Sequence, residues 1–347
     1  MSEIFQALLD KRGLTENDLM PKYEELADPF LLPDMDKCIE RIMKAIDAKE
    51  KILIYGDYDV DGVTAAALMY QALKMAGAVD VDIVLPDRFE DGYGMSTKIV
   101  QKAVEEGVKL VVTVDCGSSN EQIISSLLEH KIYTIVTDHH ELLNGTPKSA
   151  IAVVNPKRED LRLSTKFNNF AGVGVAFEVA RALVKAGRIP EGKEKWLMDL
   201  VVIGSVADRM VMRGENWKIC YFGMIVLKRT RRKGLKKLMK IAGIKEVSSE
   251  VIGFGIAPRL NAAGRMQSAQ MALKLMLVED ELEAEFLANE LNDLNMERKK
   301  VQNKAIKEMK IEDEPVIVTH GECHEGVIGI VAGRLVEKYK KPVFVFT

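Results

Sequence analysis

Five short apolar runs punctuate residues 51–154: "KILIY", "VDIVL", "KLVVTV", "YTIVT" and "AIAVV". Between them lie helix-like stretches such as "GVTAAALMYQALKMAG" and "SSNEQIISSLLEHK". Runs of this length with little polar alternation fit strands covered on both faces, and helical spacers turn each connection into a right-handed crossover between parallel neighbours. The pattern therefore constrains this part of the chain to an α/β fold, a doubly wound parallel sheet. From about Phe170 to Gly243 the pattern becomes helical: "GVAFEVARALVKAG" closes on Gly187 and "KEKWLMDLVVIGSVADRM" follows, predicting helical additions packed beside the sheet in the same domain.

Asp280 opens "DELEAEFLANELNDLNMERKKVQNKAIKEMK", with Glu283 in the position of a capping partner and Leu287, Leu291, Leu294, Val301 and Ala305 at 3–4 spacing. A helix of ~30 residues is about 45 Å long. It is expected to connect two domains, a coiled-coil partner helix being the alternative. The following "EPVIVTHGECHEGVIGIVAGRLVEKYKKPVFVFT" reads strand, turn, helix, strand, one βαβ unit too small to bury a core alone. The expected division is 1–268 for the first domain, 269–312 for connecting helices and 313–347 for the start of a second, smaller α/β domain that looks incomplete.

With 47% hydrophobic and 29% charged residues in 347, the chain has the balance of a folded soluble protein of two or three domains. A net charge of −3 neither favours nor excludes nucleic acid, because a basic groove can sit on a mildly acidic protein. Cys38, Cys116, Cys220 and Cys323 form no C-x-x-C pair and read as reduced thiols. The opening "MSEIFQALLDKRGL" lacks a secretory apolar stretch, and no run approaches the ~20 residues that span a bilayer. The expectation is a cytoplasmic protein with no membrane partner.

Charge concentrates at the ends of the apolar runs. Asp57, Asp59 and Asp61 follow the first, Asp115 follows "KLVVTV", and Asp138, His139 and His140 follow "YTIVT". In an open parallel sheet the carboxyl ends of neighbouring strands converge on one crevice, so three strand ends deliver these groups to one place. Crowded carboxylates repel one another, and divalent cations are what neutralise such a cluster. Asp208, at the end of an apolar run, is a further contributor. Taken singly, Asp-rich turns are common helix caps and an HH pair is often surface or core. "GDYDVDG" also resembles a calcium loop, but lacks the glutamate at position twelve. Joined at equivalent strand ends, the groups favour a metal site.

The motifs "GDYDVDG", "VTVDCGSSN", "VTDHHE", "IGSVADRM", "APRLNAAGRM" and "HEGVIGIVAGR" resemble, in this order, those of the DHH phosphoesterase superfamily, and more narrowly of its RecJ family. The resemblance covers essentially the whole chain. It implies a DHH domain holding two metal ions, usually manganese with magnesium possible, a connecting helix, and a second domain of the DHHA1 type. It implies 5′ to 3′ hydrolysis of single-stranded DNA to mononucleotides in repair and recombination, with a single-strand-binding protein or helicase as possible partners. Carried onto this sequence, it places Asp59, Asp61, Asp115, His139 and Asp208 as ligands, Asp115 bridging both metals, and Asp57 as a weaker ligand. His140 suits a contact to the scissile phosphate or its leaving oxygen, and Asp138 orients its neighbours. Tyr55 stands where phosphatase branches carry a histidine.

The resemblance further suggests that Arg88 meets a terminal 5′ phosphate and that Tyr93 packs on a base or sugar. Arg259, Asn261 and Arg265 read as backbone-phosphate contacts, with an inter-domain salt bridge as the alternative for Arg265. His324 and Arg334 would reach the DNA from the second domain, where Cys323 replaces a large aromatic. The basic run at 228–240 reads equally as a DNA contact or a solvated helix face. Two other functions compete: a DHH phosphodiesterase acting on short oligonucleotides or signalling dinucleotides, and a catalytically silent DNA-binding replisome component.

Overall fold

The computed structural model describes residues 3–12, 14–92, 94–160, 166–312 and 314–347. Two short helices, α1 (Glu3–Arg12) and α2 (Glu16–Leu19), and α3 (Met35–Asp47) precede the sheet. The sheet alternates β1 (Ile52–Tyr55), α4 (Val60–Met75), β2 (Val81–Val84), α5 (Lys98–Glu105), β3 (Leu110–Val114), α6 (Glu121–Glu129), β4 (Tyr133–Thr137) and β5 (Ala152–Val154). All pairings are parallel, in the order β2-β1-β3-β4-β5.

The strands are covered on both faces, as their near-continuous apolar runs require. Ile52, Ile54, Leu110, Val112 and Ile135 face one core with α3 and α4, while Leu53, Tyr55, Val111 and Val136 face another with α5 and α6. The first core is extended by α7 (Gly172–Lys185), α8 (Met198–Ala207), α9 (Gly214–Lys228) and α10 (Lys233–Ile241). The strand order reverses between β1 and β3, which opens a crevice at their carboxyl ends, where ligands bind in folds of this order.

A short helix, α11 (Ser249–Val251), passes through a wide π turn at Ile252–Ile256 into α12 (Ala257–Met266), followed by α13 (Gln270–Leu277) and the long α14 (Glu281–Glu308). Asp280 caps α14 by accepting from the Leu282 and Glu283 amides at 2.9 and 2.8 Å. Leu287, Ala288 and Leu291 of its first half join the sheet's core, together with Leu273, Leu275 and Met276 of α13. Ala305 and Met309 at its far end pack on Val331 and Leu335 in a separate small core. That second core belongs to β6 (Ile317–His320), α15 (Glu325–Tyr339) and β7 (Val343–Phe346), a parallel βαβ unit. One amphipathic helix thus feeds two cores, one at each end. No described helix is long and apolar enough to cross a membrane.

Candidate metal centre

Asp59 caps α4, its Oδ1 accepting from the amides of Asp61 and Gly62 at 2.9 and 3.1 Å, so the β1 turn is locked by its own acid. Asp61 is buried in the first turn of α4. Its two oxygens accept from the Gly172 and Val173 amides at 2.6 and 3.0 Å, at the amino end of α7. A β-carbon on Gly172 would lie 2.4 Å from Asp115 Cβ, and one on Gly204 would lie 2.8 Å from Asp61 Oδ1. Only glycine lets α7 and α8 approach the acids this closely.

Asp115 follows β3 at φ 60°, a left-handed conformation that aspartate tolerates better than most side chains and that turns its carboxylate back over the strand ends. His139, after β4, places Nε2 3.1 Å from Asp115 Oδ1, 3.7 Å from Asp208 Oδ2 and 3.8 Å from Asp61 Oδ2. Asp208 sits immediately after α8, at its carboxyl end. Three sets of donor atoms lie within 4.8 Å of one another: Asp57 with Asp59 and Asp115, Asp61 with His139 and Asp208, and Asp115 with His139 and His140. Asp115 and His139 each belong to two of the sets. All seven expected groups therefore meet in one place.

The crowded acids raise one another's pKa values. Burial, then the Asp59 charge, raises Asp57 to about 7. Burial, Asp59 and Asp208 raise Asp61 to about 8, and burial and Asp59 raise Asp208 to about 6. Asp115 is pushed well above the carboxylate range by burial and by Asp61, Asp59 and Asp57. Burial and the neighbouring His140 lower His139 to about 4, which keeps its imidazole neutral at pH 7 and its lone pair available. Asp57 Oδ1, Asp115 Oδ1 and both His139 ring nitrogens are buried with no hydrogen-bond partner. Buried polar atoms are ordinarily satisfied. Orphaned oxygens and imidazole nitrogens at one point form the mixed donor set that suits manganese, and magnesium with more difficulty.

Asp138 belongs to none of the three donor sets. Its Oδ1 accepts from the His139 and His140 amides at 2.7 and 3.1 Å and lies 2.8 Å from His140 Nδ1, while Oδ2 accepts from the Ser118 amide at 3.0 Å. Burial would raise this carboxyl, but the His140 ring and Ser118 outweigh it and hold it at about 2. Burial likewise opposes charge on His140, and Asp138, with Asp208 and Asp61, overcomes it and raises its pKa. Asn155 ties the arrangement together, donating to Ser118 Oγ and to the His140 carbonyl at 2.9 Å each. Tyr55 points to the other face of the sheet, its hydroxyl donating to the Gly94 carbonyl at 3.1 Å.

The expected DNA contacts distribute as follows. Arg88 lies over the Tyr58 ring at 5.1 Å, beside the acids, and Tyr93 lies outside the described residues. Arg259 is anchored to Asn292 Oδ1 at 3.1 Å and to the Gly255 carbonyl at 2.7 Å, and Asn261 is half-buried on the same helix. Arg265 donates to the Gly326 carbonyl at 3.2 Å, so its link to the second unit is a backbone contact and not a salt bridge. His324 caps α15, accepting from the Gly326 amide at 3.1 Å, and meets the Phe89 ring edge-on at 5.5 Å. Cys323 is half-buried against the small second core.

Arg334 is exposed and close enough to Arg298 of α14 to lower its pKa, after burial. Burial, then Arg88 and Arg298, likewise lowers Arg265. Arg88 and Arg298 thus bear on Arg265, and Arg334 on Arg298, while the Arg298 side chain itself is buried between Asn295 and Gln302. Within the 228–240 run, Arg232 pairs with Asp199, Lys233 and Lys237 pair with acids of α14, and Arg231 covers Trp196 at 3.5 Å. These four cations are engaged within the chain.

Several contributors carry no distinctive residue type. The Gly172 and Val173 amides, Gly204, Ser118, Asn155, Phe89 and Arg298 are visible only once the fold brings them in. The glycine-rich "AGVGVAF" at the start of α7 is the one sequence signal among them.

The pattern of the DHH family, N-terminal domain, matches residues 51–205. The chain is 37% identical to the single-stranded-DNA-specific exonuclease RecJ of Bacillus subtilis over 99% of its own length and 44% of that protein. To the Escherichia coli protein of the same name it is 34% identical, over 91% of the chain and 58% of the relative. It spans about half the length of these curated relatives. Among solved structures, a RecJ exonuclease bound to manganese superposes with TM-score 0.83 at 32% identity, covering 91% of this chain and 80% of that one. The Thermus thermophilus RecJ complex with Mn2+ gives 0.84 at 31%, covering 97% and 49%.

Proposed function

The chain belongs to the RecJ family of DHH proteins, and from that premise we propose that it is a two-metal-dependent exonuclease degrading single-stranded DNA from its 5′ end to mononucleotides. The observation that carries this reading is the juxtaposition of two opposites: a pit of buried acids and imidazoles, and at its edge the guanidinium groups of Arg88, over the Tyr58 ring, and of Arg265, on the helix whose Gly264 packs against the Tyr58 carbonyl. Cations fit the first and a polyanion fits the second, and a phosphodiester strand brought to bound metal satisfies both.

In this reading Asp57, Asp59 and Asp115 would hold one divalent cation and Asp61, His139 and Asp208 the other, Asp115 Oδ1 lying 3.1 Å from His139 Nε2 of the second set. Bound manganese or magnesium would supply an acidified water and charge neutralisation at the scissile phosphate. The chain's own groups do the rest. The amides of Gly172 and Val173 fix Asp61, so its oxygens need not reorganise when metal arrives. Asp138 keeps His140 oriented and raises its pKa, which favours a ring able to donate to a phosphate or leaving oxygen. Arg88 on Tyr58 meets the terminal phosphate, with Tyr93 against the first nucleotide. Arg259, Asn261 and Arg265 hold following phosphates, and His324 and Arg334 approach from the second unit. The division at 1–268, 269–312 and 313–347 is carried forward as the proposed domain arrangement, and the cytoplasm as the proposed location. A single-strand-binding protein or helicase presenting such a strand is the proposed partner class.

A 5′-phosphorylated single strand labelled at either end tests the reading. With manganese, 5′-labelled strands should release labelled mononucleotide at once while 3′-labelled strands shorten progressively, and chelation should stop both. Release of 3′ mononucleotides first, or hydrolysis confined to dinucleotides, contradicts it.

A further inference from the structure

A single exposed apolar side chain is ordinary on a protein surface. Phe254 is distinguished by its placement. It is 79% exposed, at the middle of the π turn Ile252–Ile256, between Gly253 and Gly255. Single π turns within helices are frequent at functional sites, and this one runs directly into α12, which carries Arg259, Asn261 and Arg265. A β-carbon on Gly253 would lie 4.0 Å from Val206, so the turn packs on α8 near the carboxyl end that Asp208 follows. On the other side, the carbonyl of Gly255 accepts from Arg259 at 2.7 Å, which fixes a guanidinium one turn from the ring. Asn261 and Arg265 follow on α12, the helix into which the turn runs.

We propose that Phe254 is a stacking platform for a base of the bound single strand, set beside the phosphate-holding groups of α12. The inference rests on the exonuclease reading and adds a specific binding residue to it. An aromatic face accepts any base without sequence preference, and a ring presented on a helix loses little freedom when a base covers it. Arg259 and Arg265 hold phosphates and Phe254 holds a base, the alternation that a strand's own chemistry presents.

A double comparison tests this. Binding of a 5′-phosphorylated thymidine 20-mer and of the same strand with abasic sites is followed by fluorescence anisotropy, for wild type, Phe254→Ala and Phe254→Trp. Phe254→Ala should weaken the base-bearing strand about 5- to 100-fold and the abasic strand less than twofold, and Phe254→Trp should restore binding. The dependence of affinity on salt should be unchanged in Phe254→Ala, because no phosphate contact is lost, whereas Arg259→Ala should flatten it. Equal losses on both strands, or none on either, overturn the inference. Wild type that binds the 20-mer without hydrolysing it contradicts the exonuclease reading alone, and the same comparison still decides Phe254. Wild type that binds neither strand overturns both.

Discussion

The Gly172 amide donates to Asp61 Oδ2 at 2.6 Å, joining two residues 111 positions apart at the centre of the acid cluster. This bond, and its neighbour from Val173, make the amino end of α7 a cradle for a buried carboxylate. Gly172→Ala would drive a β-carbon into Asp115. It should destabilise the protein by about 1–3 kcal/mol and weaken manganese binding at least tenfold. Thermal unfolding with isothermal titration checks both, and wild-type values in each would show that the close approach is dispensable.

The two adjacent histidines should separate by function. His139 directs its ring into the acids, whereas His140 is held by Asp138. His139→Ala should lower manganese affinity 10- to 100-fold. His140→Ala should leave that affinity within about threefold and reduce hydrolysis 10²-fold or more. Equal losses of metal affinity would make His140 a ligand, a place its nearness to Asp115 and His139 leaves open to it.

Metal-free protein should show inverted pH behaviour. Asp57, Asp61 and Asp208 titrate at about 7, 8 and 6, above the ~4 of an unfolded aspartate, so the folded state holds more protons between those limits. Their contribution to stability is complete below about pH 4 and is lost as pH rises through 6 to 8. Asp138, held at about 2, and His139, lowered to about 4, act in the opposite sense: the first loses its contribution only as pH falls through that value, and the second costs stability as pH falls from about 6.5 to 4, one group against several. In chelator, melting temperature should fall from pH 5 to pH 8, and manganese should remove the fall. Replacing the three acids by asparagine should reduce the fall, with Asp115 and Glu178, both also raised by burial, carrying the remainder, and an undiminished fall in that variant would assign it elsewhere.

Arg88 bears on which strand end is accepted. Wild type should hydrolyse 5′-phosphorylated strands in preference to 5′-hydroxyl ones, and Arg88→Ala should erase most of the difference in kcat/KM. Equal use of both ends by wild type removes Arg88 from this role.

The sheet was legible because strands buried on both faces leave runs such as "KLVVTV", and because crossovers fix where their carboxyl ends point. The acids and histidines were legible for the same reason, since each directly follows a strand. The cradle was not, because backbone amides have no sequence signature and α7 reaches Asp61 only through packing. Arg298 lies in "NMERKK", which reads as a solvated face, yet it is buried between Asn295 and Gln302. Phe254 reads as one more apolar position, and only its exposure separates it from the core.

Asp115 shares one donor set with Asp57 and Asp59 and another with His139 and His140, so it carries the two-metal account most directly. The deciding measurement is manganese-dependent release of mononucleotide from a 5′-phosphorylated single strand by Asp115→Ala, with folding checked by circular dichroism. The account predicts a folded protein with hydrolysis reduced by at least 10³-fold, about 4 kcal/mol of transition-state stabilisation. Hydrolysis at the wild-type rate would contradict it.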